Sequence, residues 1–70
     1  MNINELKAEI ARHDLTIPKL AEKMNMSKKT LYSRVKGETS FTQSEISLIA
    51  STLSLSKERI IEIFFDEKVA

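Results

Sequence analysis

Six cations and one carboxylate fall between Lys19 and Lys36: Lys19, Lys23, Lys28, Lys29, Arg34 and Lys36 against Glu22, a local charge of +5. Ammonium and guanidinium groups at this density suit the holding of a polyanion, through released counterions and donated hydrogen bonds. The net charge of +1 over 70 residues conceals this because the chain is polarised. Residues 1–37 hold eight basic and four acidic residues (+4), and residues 38–70 hold three basic and six acidic ones (−3). An acidic far half would orient the molecule in the field of a polyanion. A solvated surface with ordinary scatter is the competing account of charge taken alone.

Other chemistries lack their parts. There is no cysteine, hence no disulfide framework and no thiolate metal site. His13 is the only histidine, so no pair exists for a metal or a proton relay, and near a helix C-terminus it reads as a dipole-favoured surface residue. Ser44, Ser47, Ser51 and Ser54 have no histidine or lysine spaced to activate a nucleophile. Glu58, Glu62, Asp66 and Glu67 read as a solvated polar face, and Met24 and Met26 as core filler. A chain this short buries only about 60% of the surface it exposes unfolded, which leaves no room for a deep cleft beside a core. No enzyme, metal, cofactor or small-molecule ligand is expected. No apolar run approaches the roughly 18 residues of a membrane span. The start, MNINELKAEI, mixes acidic, basic and apolar residues unlike a signal peptide, so a cytoplasmic protein without a membrane partner is expected.

The elements that must position the cations are helical. One glycine and one proline argue against linkers, and a single all-α domain over residues 1–70 is expected. Thr16 can cap a short helix with Pro18 in its first turn, and Leu20, Ala21 and Met24 form its apolar face. Asn25 tolerates a left-handed helix end. Ser27 can cap a second helix that turns Leu31 and Val35 inward, with Lys28 and Lys29 in its first turn. Small Ala21 lets the two helices approach, so residues 16–35 read as a helix-turn-helix. Its basic second helix is of a size to enter a DNA major groove. Before it, a helix is expected to begin after Asn2, with Glu5 closing a capping box and Ile3, Leu6 and Ile10 on one face, ending near His13 and Asp14. After it, Gly37 marks the stop, and Thr42-Gln43-Ser44-Glu45 is a second capping box. Ile46, Ile49, Ala50 and Leu53 then follow at helical spacing, and Ser56 caps a last helix from about Lys57 to Phe65.

The segment LAEKMNMSKKTLYSRVKGETSFTQSEISLIASTLSLS resembles the Cro and phage-repressor helix-turn-helix proteins, the lambda-repressor-like DNA-binding domains, from their second to their fifth helix. It is most similar to short Cro-like regulators of temperate phages and prophages of Gram-positive bacteria. The resemblance lies in Ser27, Val35, Gly37 and Phe41-Thr42-Gln43-Ser44-Glu45-Ile46. Two positions depart from that pattern: Asn25 replaces the commoner turn glycine, and Ser54 stands where a glycine often precedes the fifth helix, so a less regular turn is expected there.

The resemblance implies a five-helix fold with a helix-turn-helix formed by helices 2 and 3, and double-stranded operator DNA as partner. Base contacts are expected from Lys28, Lys29, Thr30 and Ser33. A lysine can donate to guanine O6 and N7, and the threonine methyl can meet thymine. The competing readings are phosphate contact alone for the lysines and a plain early-turn residue for Thr30. Phosphate contacts are expected from Thr16, Lys19, Ser27, Tyr32, Arg34, Lys36, Thr39, Ser40 and Gln43. Tyr32 has packing on a neighbouring helix as its alternative, and Arg34 a solvated position. Glu38 is out of place beside phosphate. On the last helix, Ile60, Ile63 and Phe64 can face the core together, and Ile61 and Phe65 then form an adjacent stripe. With Phe64 beside it, Ile61, Phe64 and Phe65 are a candidate homodimer interface, which would set two recognition helices on a palindromic operator. The alternative is that the domain buries this whole aromatic end. The functional expectation is a sequence-specific transcriptional regulator, a Cro-like repressor of a phage or prophage acting in the bacterial cytoplasm and on the nucleoid. The alternative is a protein-interaction module on the same fold, an antirepressor or adaptor without specific DNA binding.

Overall fold

Five short helices each begin on a side chain suited to starting one. A computed structural model describes residues 1–65: α1 (Ile3–Arg12), α2 (Ile17–Lys23), α3 (Lys28–Val35), α4 (Gln43–Thr52) and α5 (Lys57–Phe64), with no strand among the described residues. The N-caps are Asn2, Thr16, Ser27, Thr42 and Ser56, and each side-chain oxygen accepts the backbone N–H three residues on. Such a cap is worth about 1 kcal/mol, and helices of seven to ten residues depend on it because they are too short to be stable alone.

Four of the helices also end alike. After α1, α2, α3 and α4 the chain passes through one residue with positive φ: Asp14 (56°), Asn25 (56°), Gly37 (84°) and Ser54 (51°). In each case the following N–H reaches back five residues to a carbonyl: Leu15 to Ile10, Met26 to Ala21, Glu38 to Ser33 and Leu55 to Ala50. This paired closure satisfies carbonyls that a helix end otherwise leaves open. The expected irregularity at Ser54 is absent; the serine adopts the conformation a glycine would supply. Leu15, Met26 and Leu55, which complete three of these turns, fold back onto the core, whereas the fourth turn, after α3, is completed by exposed Glu38.

The core draws on every helix: Leu6 and Ile10 from α1, Leu20 and Ala21 from α2 with Met24 at its end, Leu31 and Val35 from α3, Ile49 from α4 with Leu53 at its end, Ile63 and Phe64 from α5. The α2–α3 pair is the most closely packed, with Ala21 1% exposed at the contact. Phe64, expected on the core face with Ile60 and Ile63 and also beside a dimer interface, is a core residue, its ring edge-on to Phe41 with centroids 5.5 Å apart. The helical turn that sends Ile60, Ile63 and Phe64 inward leaves Ile61 (56% exposed) and Phe65 (53%) outside.

A salt-bridge network joins α1 to α5. Arg59 donates to Glu9 at 2.6 Å, to Glu62 at 3.0 Å and to Glu5, and Arg12 reaches Glu9 at 2.9 Å. Glu5 therefore does not close the capping box expected of it. Its carboxylate turns to Arg59, and the Asn2 N–H that it would have accepted donates to the Ile63 carbonyl at 2.6 Å. Glu62, expected on a solvated face, also belongs to the network; Asp66 and Glu67 lie outside the described residues. Glu9 is only 8% exposed. The Arg59 hydrogen bond holds its carboxyl below the ordinary 4.5, against the upward push of burial, and the charges of Arg59 and Arg12 help. The hydrogen bonds that Arg59 donates to Glu5, Glu9 and Glu62 raise its own pKa above the ordinary value.

Candidate nucleic-acid interface

The site is built outward from the start of α3. The Ser27 hydroxyl accepts from the Thr30 N–H at 3.1 Å and donates to the Thr30 hydroxyl at 2.7 Å, so the cap and the first turn lock each other. Leu31 and Val35 are buried, which fixes the roll of α3 and leaves Lys28, Lys29 and Lys36 exposed, Ser33 half-buried and Tyr32 43% exposed. Among the described residues no lysine takes part in an ion pair.

Lys29, Thr30, Ser33 and Arg34 line one shallow depression together with Thr39, from the loop after α3. Three of the four expected base-contacting residues thus meet there, with Lys28 beside them in sequence but outside the lining. Lys36, Thr39 and Ser40 line a second recess, shared with Gly37 and the apolar Phe41, Met1, Ile3 and Phe65. Gln43 opens α4, and Thr16 and Lys19 stand exposed at the start of α2, where the Thr16 hydroxyl accepts from the Lys19 N–H at 3.3 Å. Gly37 suits its position: its φ of +84° strains any L side chain, and an added Cβ would come within 3.3 Å of Ile3 Cδ1.

The helix-turn-helix family model matches residues 6–60, well over half of the sequence and all of α2 and α3. The chain belongs to this family. Its lambda-repressor and Cro-like form is one of DNA-binding transcription regulators, acting on double-stranded DNA. No curated protein and no solved structure gives a significant match. Among the described residues of this helix-turn-helix protein, no helix is long and apolar enough to cross a membrane.

Arg34 departs most from expectation. It is neither a free cation nor a solvated one: Nε donates to Glu45 Oε1 at 2.7 Å and Nη1 to Thr39 Oγ1 at 2.9 Å, with the two charged side chains 20% and 19% exposed. Glu45 Oε1 also accepts the Thr42 N–H at 2.9 Å, and the Glu45 N–H donates to Thr42 Oγ1 at 3.2 Å, so the capping box of α4 and the ion pair share one oxygen. Burial pushes the Glu45 carboxyl up, but the hydrogen bonds from Arg34 and Thr42 outweigh it and the net shift is downward. Glu38, out of place near phosphate, accepts from the Ser33 hydroxyl at 3.4 Å, while Ser33 Oγ lies 3.3 Å from Thr39 Oγ1. Sequence reasoning missed the Arg34–Glu45 pair. The partners stand eleven positions apart across a loop, and the only local signal was Glu45 at the third position of a capping box, where its carboxylate had to face the chain.

Proposed function

We propose that the protein is a sequence-specific transcriptional repressor of the Cro type, of the kind phages and prophages encode, acting as a single DNA-binding domain that lays α3 in the major groove of operator DNA. The carrying observation is the exposed start of α3: Lys28 and Lys29 without carboxylate partners among the described residues, on a helix whose roll is fixed by buried Leu31 and Val35. In this reading Lys28, Lys29, Thr30 and Ser33 meet base edges, while Thr16, Lys19, Ser27, Tyr32, Lys36, Thr39, Ser40 and Gln43 hold phosphates on either side. The positive end of the α2 dipole and the exposed Lys19 beside it favour an anion there.

The test is a DNA-binding titration on the promoter region flanking the protein's own gene, at two salt concentrations, with the Lys28→Ala/Lys29→Ala variant alongside. Wild type is expected to saturate, to weaken as salt rises and to prefer its site over random duplex. The variant is expected to lose roughly a factor of ten or more in affinity, with a flatter salt dependence. A folded wild type that binds neither duplex would sink the reading in favour of a protein-interaction module.

Exposed Ile61 and Phe65 favour a second copy of the chain as a further partner, pairing through α5 on a palindromic operator. Sedimentation from about one to one hundred micromolar, a range suited to a modest interface, is expected to give a concentration-dependent dimer that Ile61→Lys abolishes. A monomer throughout would contradict it.

A further inference from the structure

We propose that Arg34 is a positioning residue for DNA binding: through Glu45 and Thr39 it fixes the loop between α3 and α4 on the recognition helix, so that Lys36, Thr39, Ser40 and Gln43 meet phosphates already arranged. The inference rests on the DNA-binding reading and reverses the role that residue type alone gives to Arg34.

The guanidinium is committed twice. Its Nε is bound to the carboxylate that caps α4, and its Nη1 to the hydroxyl in the middle of the loop. Turning it outward to a phosphate would break both bonds and leave Glu45, 19% exposed in its side chain, without its cation. Left in place, it ties the last turn of α3 and Thr39 to the first turn of α4. Backbone bonds hold the early part of the loop, Glu38 and Thr39 both donating to the Ser33 carbonyl at 3.0 and 3.4 Å. Arg34 extends that hold to the far end. A loop ordered before binding loses less entropy when it meets its ligand, which raises affinity without a new contact. The planar fork of arginine suits this, and a lysine cannot span the same two partners.

Arg34→Lys and Glu45→Gln separate this from phosphate clamping. Both are titrated on the promoter duplex described above at several salt concentrations, with affinity expressed per folded molecule from parallel urea unfolding. Arg34→Lys keeps the charge, and binding is expected to weaken about tenfold with an unchanged salt slope. Glu45→Gln removes a negative charge close to the DNA face, which alone would strengthen binding, yet binding is expected to weaken here too. Unchanged affinity for Arg34→Lys would overturn the inference. So would tighter binding by Glu45→Gln with a slope steeper by about one, the mark of a freed phosphate contact. Should Glu45→Gln not fold, Glu45→Asp keeps the charge while drawing the carboxylate back by one methylene. Weaker binding by it supports the positioning role, and unchanged binding overturns it. A wild type that fails to bind any duplex removes the DNA-binding reading itself, whereas unaltered binding by the variants removes only this role for Arg34.

Discussion

At the α1–α5 seam three carboxylates converge on the single guanidinium of Arg59, with Arg12 adding a second cation to Glu9; at the start of α3, Lys28 and Lys29 stand in solvent with no carboxylate bound among the described residues. Charge is plentiful in both regions, but it is spent on the fold in one and left available in the other. The division follows residue type. All three arginines, Arg12, Arg34 and Arg59, are paired within the protein, and among the described residues none of the lysines is. Arginine's rigid fork suits a fixed bridge between helices, while the flexible, strongly hydrated lysine costs little to leave in water. Sequence charge counts give these residues equal weight, so the +5 of the Lys19–Lys36 window overstates what is free by the neutralised Arg34.

The comparison breaks most visibly at Glu9. Glu9→Gln keeps the shape and removes the charge that Arg59 and Arg12 share, and it is expected to lower stability by about 1–3 kcal/mol, a large part of the roughly 4–10 kcal/mol available to a chain of this length. Urea unfolding measures this. Lys28→Ala/Lys29→Ala, at solvated positions, is expected to move stability by no more than about 0.5 kcal/mol. If both variants unfold at the same urea concentration as wild type, the seam is not the structural region described here.

Acid sharpens the same contrast. Glu9 and Glu45 both lie below the ordinary 4.5 in the folded protein, so the unfolded chain binds protons more readily than the native one. Their contribution is complete above 4.5 and is lost as pH falls through the depressed native values. Wild-type stability is therefore expected to be level from neutrality down to about pH 5 and to decline below it, with a shallower decline in Glu9→Gln. An equally steep acid limb in the variant would exclude Glu9 as a source of the decline.

The legible part of the fold was local. Thr16, Ser27, Thr42 and Ser56 act within three residues of themselves, and the left-handed conformations at Asn25 and Gly37 are properties of single residues, so sequence spacing locates them. The exposed cations of α3 were legible for the same reason: once Leu31 and Val35 face the core, Lys28 and Lys29 have one side left. What sequence spacing could not carry was partnership across the chain. Glu5 looks like a capping-box residue at short range, and only the arrival of α5, 54 residues later, gives its carboxylate a stronger attraction. Arg34 likewise looks like a phosphate ligand until α4 brings Glu45 beside it. By contrast, helical spacing alone separates the neighbours Phe64 and Phe65, the first sharing the inward face with Ile60 and Ile63 and the second the outward one with Ile61.

The smallest expected effect lies at the four helix ends, where the same turn is made by Asp14, Asn25, Gly37 and Ser54. Three of those turns pin an apolar residue to the core, and the one after α3 presents Glu38 to the candidate interface instead. Residue choice at the left-handed position therefore bears on stability at all four ends, and the turns after α2 and α3 flank the candidate site as well. Serine tolerates φ of 51° poorly because its Cβ crowds the following carbonyl, and glycine removes that crowding. Ser54→Gly is expected to gain about 0.5–1 kcal/mol, the relief of strain offset in part by the greater freedom of the unfolded chain. A melting temperature higher by roughly 2–8 °C would express this, with DNA affinity unchanged because the α4–α5 turn lies outside the proposed contacts. Gly37→Ala makes the opposite change at a position that does bear on the site: it would strain the backbone, crowd Ile3 and shift the loop carrying Thr39 and Ser40. A Ser54→Gly variant no more stable than wild type would mean that the serine turn is already relaxed, and that the left-handed conformation there carries no strain to relieve.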